Sequence, residues 1–202
     1  MKTLMAGYER FRSGSWKDHE DLYTTLARDG QAPEAMVIAC ADSRVAPELI
    51  FDCGPGEIFV VRNVAALVPP YAPDDKYHGT SAALEFAVTV LKVRTVVVMG
   101  HSQCGGIRSL MKGPGNGPGD FIASWMAIAR SARVRVCDAP PGDFATDFES
   151  QCGACEHEAI RVSLDNLMTF PWIAQRVAEG SLELAGMHFN LSDGKLETVE
   201  RT

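Results

Sequence analysis

Five residues in two short segments carry the chemistry this chain can do. They are Cys40, Asp42 and Arg44 in Cys40-Ala-Asp-Ser-Arg44, and His101 and Cys104 in His101-Ser-Gln-Cys104. Thiolate sulfur and imidazole nitrogen are zinc donors, and a zinc site with three protein ligands keeps a fourth position for chemistry. His-x-x-Cys at the start of a helix brings two ligands to one ion, and the helix N-terminus favours thiolate over thiol. Cys40 would close the set from a neighbouring strand end. Zn2+ with two thiolates and a neutral imidazole is formally neutral. It should therefore acidify water less than a three-histidine site, which brings that pKa to about 7. Activity rising toward alkaline pH is the expectation.

Asp42 stands two residues beyond Cys40, so on an extended segment it points the same way as the ligand. Two roles are open to it. It can bind zinc as a fourth ligand and block the site, or pair with Arg44 and leave zinc open, its free oxygen orienting a nucleophile.

The elements that must position these residues can be read from the pattern. Ala35–Ala39 and Thr95–Met99 are short apolar runs suited to buried parallel strands, and each leads directly into one of the two segments. A third run, Glu57–Val61, ends in Arg62-Asn63 after the turn residues Cys53-Gly-Pro-Gly56. Helical periodicity covers residues 80–92, 121–136 and 149–168, and Pro171 opens a short helix. Leu182–Leu191 and Lys195–Val199 flank Ser192-Asp193-Gly194, a hairpin signal. The sum predicts an α/β fold: a central, mostly parallel sheet flanked by helices, with this hairpin at one edge. Leu4, Tyr8 and Phe11 at helical spacing and a second amphipathic stretch over 17–29 predict an N-terminal helical arm, residues 1–34. Residues 35–202 then form the zinc-binding catalytic domain, in a single-domain chain. Gly113–Gly119 reads as an exposed loop.

Bulk properties narrow the class. The 202 residues are 46% hydrophobic and 22% charged, with a net charge of −7. No Lys/Arg cluster tracks a phosphate backbone, which argues against nucleic acid. No signal-peptide pattern and no membrane-length apolar run is visible, so a cytoplasmic location is expected. Six cysteines in that compartment read as ligands or buried thiols.

Cys-Ala-Asp-Ser-Arg-Val, Gly-Glu-Ile-Phe-Val-Val-Arg-Asn-Val-Ala and Gly-His-Ser-Gln-Cys-Gly-Gly-Ile strongly resemble the β-class carbonic anhydrases. The resemblance runs from Met36 to Leu110, and resumes at 155–173 and in the terminal hairpin. It implies reversible hydration of CO2 to bicarbonate and a proton, with Zn2+ on Cys40, His101 and Cys104 and with Asp42 and Arg44 as a dyad. It also implies a homodimer or higher homo-oligomer with active sites at the subunit interface. Within the family the chain is similar to the plant-type branch. That implies Gln31 as an amide donor to substrate, Phe59 as a wall of the CO2 pocket and Gly105 as a backbone donor. Phe86 stands where that branch usually has tyrosine, so any hydrogen bond made by the hydroxyl is lost. Val37, Arg62 and Phe189 stand where regulated bacterial members hold inhibitory bicarbonate with tryptophan, arginine and tyrosine, which implies no bicarbonate-driven cooperativity.

Other readings are weighed against this one. Hydrolysis of carbonyl sulfide or carbon disulfide would use the same site. A non-catalytic zinc or redox sensor would use Cys152 and Cys155, whose spacing suits metal or redox chemistry but which lack a second ligand pair. Cys53 and Cys137 read as packing cysteines. His78 reads as a loop residue with an outside role as a proton shuttle. Spacing offers His157 and His188 no partner.

Overall fold

The computed structural model describes residues 1–113, 120–140 and 142–201. The expected loop at 113–119 lies outside them except for Gly113. Five strands, β1 (Ala35–Cys40), β2 (Ile58–Asn63), β3 (Thr95–His101), β4 (Glu183–Phe189) and β5 (Leu196–Val199), form one sheet. Their order is β2-β1-β3-β4-β5. The first four are parallel, and β5 returns antiparallel to β4 as the edge hairpin. The sequence-based fold class is the observed one.

β1 and β3 sit at the centre and are buried on both faces, which is why they read as unbroken apolar runs. One face, with Met36, Ile38, Val96 and Val98, packs against α5 (Gly79–Glu85), α9 (Phe148–Leu167) and α10 (Pro171–Ala178). On the other face Val37, Ala39, Val97 and Met99 meet Ile50 and Phe51, at the end of the short helix α4 (Pro47–Ile50). Gly100 lets α9 come close to β3. A Cβ there would lie 2.7 Å from Ile160 Cδ1. The N-terminus of α9 is capped by Asp147, whose carboxylate accepts from the Ser150 N–H at 2.9 Å.

From β1 the chain crosses to β2 on one side, then returns past β1 to β3 on the other. Where the winding direction switches, the loops leaving two neighbouring strands part and open a crevice at the carboxyl ends. Those ends are Cys40 and His101.

Three details depart from the periodicity. The second N-terminal helix breaks at His19 into α2 (Ser15–Asp18) and α3 (Glu20–Asp29). The helical stretch after α5 widens into a π turn, in which the Leu91 N–H reaches back to the Phe86 carbonyl at 3.0 Å. Asn63 brackets the loop after β2: its side chain accepts from the Leu67 N–H at 2.8 Å and donates to the Leu67 carbonyl at 2.9 Å. This holds Ala65 and Ala66 in the left-handed region, at φ 66° and 55°. For a residue with a Cβ that conformation costs about 1–2 kcal/mol.

The arm, α1 (Lys2–Ser13) with α2 and α3, buries no residue of its own helices. Trp16 stacks on Tyr23 at 4.7 Å and Phe11 meets both rings edge-on, which ties α1 to α3. Leu4, Met5 and Tyr8 form an outward apolar stripe.

Candidate metal centre

β1 delivers Cys40 and β3 delivers His101. The turn Ser102-Gln103, with Gln103 at φ 58°, then brings Cys104 back to the first turn of α6 (Gly105–Met111). The three ligand atoms lie within 4.8 Å of one another, and all three residues are buried. Among the described residues no fourth side chain joins them. Cys40 Sγ and Cys104 Sγ are 4.0 Å apart. Zn–S bonds of about 2.3 Å at the tetrahedral angle require about 3.8 Å, so the sulfurs stand at zinc spacing.

The backbone prepares each donor. Cys40 sulfur accepts from the amides of Asp42 and Ala65, and Cys104 sulfur from those of Gly106 and Ile107, at the start of α6. The Ala65 amide faces Cys40 because of the left-handed turn that Asn63 brackets. The hydrogen bond from Cys104 holds the Cys40 thiol far below its ordinary value. The same contact, with burial, pushes Cys104 up, so without a metal the pair holds one proton between two sulfurs. His101 Nδ1 lies 2.8 Å from the Ser102 carbonyl. A carbonyl only accepts, so Nδ1 carries the hydrogen and Nε2 carries the lone pair. That Nε2 is buried without a hydrogen-bond partner. An orphaned imidazole lone pair beside two sulfurs fits a soft or borderline cation, and zinc meets every requirement of the set.

Asp42 is turned onto Arg44. Arg44 Nε donates to Oδ1 at 2.9 Å and Nη2 to Oδ2 at 2.8 Å, while the Arg44 backbone N–H adds a third bond at 3.0 Å. Arg44 Nη2 also donates to the Gln103 carbonyl at 3.2 Å, tying the β1 loop to the β3 loop. Of the two roles open to Asp42, the structure displays the paired one. These hydrogen bonds hold its carboxyl well below the usual carboxylate range.

Two neighbours carry no local sequence signal. Arg62 donates from Nε to the Cys40 carbonyl at 2.9 Å and from Nη2 to the Asp42 carbonyl. It pins the strand end by its carbonyls and, among the described residues, pairs with no acid. Glu156 on α9, 96% buried, accepts the Cys104 N–H at 2.9 Å, and its other oxygen lies 3.2 Å from His188 Nε2.

The pocket residues are distributed unevenly. Gly105 adjoins Cys104 at the cluster. Phe59 pairs with Met36 while Asn63 pairs with Cys40, so Phe59 sits four residues down the sheet, about 13 Å from the ligand end. Phe59 and Phe86 touch each other at 5.9 Å between ring centres, and Gln31 lies exposed before β1. One chain alone does not bring these three residues to its own metal cluster.

The remaining cysteines and histidines resolve differently. Burial raises the thiols of Cys152 and Cys155, the latter to about 12, and all six cysteines are free. His78 Nε2 lies 2.6 Å from Asp74 Oδ1, beside a cavity of about 590 Å3 that Val64 and Trp125 also line. A larger cavity, about 850 Å3, lies at the opposite end of the strands by Thr95 and Glu183, far from this chemistry.

The comparisons with known proteins agree with this geometry. The carbonic anhydrase family model matches residues 35–196. Beta carbonic anhydrase 3 of Arabidopsis thaliana is 37% identical over 203 residues, 99% of this chain and 77% of that protein. The structure of the β-carbonic anhydrase CcaA superposes with a TM-score of 0.88 at 32% identity, covering 98% of this chain and 86% of that one. A tetrameric β-carbonic anhydrase of Sordaria macrospora gives 0.85 at 27%, covering 98% and 95%. No helix among the described residues is long and apolar enough to cross a membrane. The chain belongs to the β-carbonic anhydrase family, the enzymes that interconvert carbon dioxide and bicarbonate.

Proposed function

We propose that Cys40, His101 and Cys104 hold zinc, and that Asp42 and Arg44 orient the attacking oxygen in the hydration of carbon dioxide. The observation that carries this reading is the buried, unpartnered Nε2 of His101 beside two sulfurs 4.0 Å apart, with Asp42 drawn onto Arg44. Bound zinc would supply Lewis acidity, lowering the pKa of water, though less than a three-histidine site does, so that hydroxide becomes available toward alkaline pH. The rest falls to side chains of this protein. Asp42, ionised and gripped by Arg44, accepts the hydrogen of that water or hydroxide and aims its lone pair at the substrate carbon. The Gly105 N–H is among the first amides of α6, which have no acceptor within the helix, and it is available to a substrate oxygen.

Gln31, Phe59 and Phe86 complete the pocket from a second copy of the chain, Gln31 steadying the oxygens and the two rings walling the apolar side. Their distance from the cluster of their own chain supports this. The unpartnered Leu4, Met5 and Tyr8 stripe supports a role for residues 1–34 as an arm embracing that copy, with residues 35–202 as the catalytic unit. Six free cysteines support a reducing compartment, the cytoplasm.

Zinc analysis combined with stopped-flow CO2 hydration tests the reading. Zinc in stoichiometric amount, hydration by the wild type, and a large loss in Asp42→Ala with zinc retained are expected. Full zinc with no measurable hydration, or sulfide release from carbonyl sulfide in place of hydration, would overturn it.

A further inference from the structure

A second cluster of metal-ligand type lies on the far side of Glu156. His157 of α9, His188 of β4 and Glu197 of β5 place ligand atoms within 4.8 Å of one another. His157 Nε2 is 2.7 Å and His188 Nδ1 3.4 Å from the same atom, Glu197 Oε1, and the two rings stack at 4.2 Å. An ion bound tetrahedrally at 2.0–2.1 Å from nitrogen and oxygen separates its donors by about 3.3 Å, between those two distances.

The outer nitrogens are each held by an acceptor. His157 Nδ1 lies 2.9 Å from the Gly153 carbonyl, which can only accept, so Nδ1 bears the hydrogen. His188 Nε2 lies 3.2 Å from the Glu156 carboxylate and is likewise the donor. His157 Nε2 and His188 Nδ1 both face the Glu197 carboxylate, and in the neutral rings these are the nitrogens that offer lone pairs to a cation. His188 Nδ1 is buried without a hydrogen-bond partner in a side chain 94% buried. Three groups of metal-ligand type thus converge on one point. Each imidazole is also oriented from behind by an acceptor, as metal-bound histidines are.

We propose that His157, His188 and Glu197 form a second metal site, specific for a late first-row divalent cation such as Zn2+ and distinct from the Cys–His–Cys cluster. Two imidazoles and one carboxylate suit such ions and discriminate against Mg2+ and Ca2+, which take oxygen cages. Loading the site joins α9, β4 and β5 and so fastens the edge hairpin to the helix that backs the catalytic cluster.

The test uses the zinc-loaded, untagged full chain, dialysed to equilibrium against low-micromolar free Zn2+ with excess Mg2+ present. The wild type takes up a second equivalent of zinc per chain, and its melting temperature rises as it does so. His157→Gln and Glu197→Gln, both at partly exposed positions, keep the first equivalent, bind the second at least about tenfold more weakly and lose the thermal shift. His188→Gln is omitted because its buried position makes misfolding an alternative cause. A wild type that stops at one equivalent overturns the proposal, the two histidines then holding protons against Glu156 and Glu197. Retention of the second equivalent by either variant also overturns it, as does loss of the first equivalent in both, since the sites would not be distinct.

Discussion

Arg44 grips Asp42 at both carboxylate oxygens, 2.9 Å from Nε to Oδ1 and 2.8 Å from Nη2 to Oδ2, and reaches on to the Gln103 carbonyl. The fork matters more than the charge. A lysine supplies a point charge but cannot bind two oxygens in one plane. Arg44→Lys should leave zinc content unchanged and release Asp42 from its fixed direction. Misaimed groups cost on the order of 100-fold, so kcat/KM for CO2 hydration is expected to fall by about that much. Stopped-flow kinetics with zinc analysis on the same sample checks it; an Arg44→Lys enzyme at wild-type rate refutes the aiming role.

The same contact fixes a sign in pH dependence. The hydrogen bond from the Arg44 side chain holds the folded-state pKa of Asp42 below its unfolded value of about 3.9. A depressed carboxyl stabilises the fold above that unfolded value, and its contribution fades as pH falls through the lower, folded one. From pH 5 upward Asp42 stays ionised and adds no limb to the rate profile. Hydration should therefore rise toward alkaline pH along one ionisation, that of the water which zinc acidifies. A second inflection on the acid side, absent in Asp42→Asn, would show that Asp42 titrates within the working range.

Glu156 is the link between Cys104 and His188, and it is buried. Glu156→Leu removes the acceptor of the Cys104 N–H and leaves that donor unpaired in the interior. Such a loss costs about 1–3 kcal/mol, and the misoriented thiolate should weaken zinc binding by about 10–100-fold. Competition with a chromophoric chelator measures it. Zinc affinity equal to the wild type would mean that the Cys104 loop holds its shape without Glu156.

How far the chain could be read in advance follows from where its information lies. Ala35–Cys40 and Thr95–His101 are buried on both faces, so their sequences are continuous apolar runs, and the ligands follow at once. Strands, their ligand-bearing carboxyl ends and the Cys–His–Cys set were legible together for that reason. Glu156 was not legible. It lies 52 residues from Cys104 in the run Cys155-Glu-His-Glu158, where nothing sets it apart from its polar neighbours, and only the packing of α9 on β3 brings the two together. His157, His188 and Glu197 were likewise hidden, since a helix and two hairpin strands supply one residue each. Arg62 stood out only for its place among the residues that hold bicarbonate in regulated members. Its donors go to two main-chain carbonyls, groups that every residue type carries.

Asn63 closes a loop whose strain serves the metal centre. Its side chain makes both bonds to Leu67, at 2.8 and 2.9 Å, and so keeps Ala65 left-handed with its amide on Cys40. Asn63→Ala loses these two hydrogen bonds and a third, from Nδ2 to Thr80 Oγ1 at 3.3 Å, and frees the loop to relax, at about 2 kcal/mol. For a chain of this size that is about 4–8 °C in melting temperature. Calorimetry with and without zinc checks it. A loss is expected in both forms, because the Cys40 sulfur accepts from the Ala65 amide without the metal as well.

Gly100 and Ile160 provide a paired test of why α9 lies so close to β3. A Cβ on residue 100 would fall 2.7 Å from Ile160 Cδ1 and 3.0 Å from Cγ1, closer than real contacts allow. Gly100→Ala should therefore cost about 1–3 kcal/mol through overpacking, and it sits next to the ligand His101. Ile160→Val removes Cδ1, the atom in the way, at its own cost of about 1 kcal/mol. The double variant is then expected to be more stable than the sum of the two losses, with a favourable coupling of about 1 kcal/mol, since the methyl of one change fills the space left by the other. Additive losses would mean that the helix moves away as a body, in which case zinc retention should fall in Gly100→Ala and stay low in the double variant.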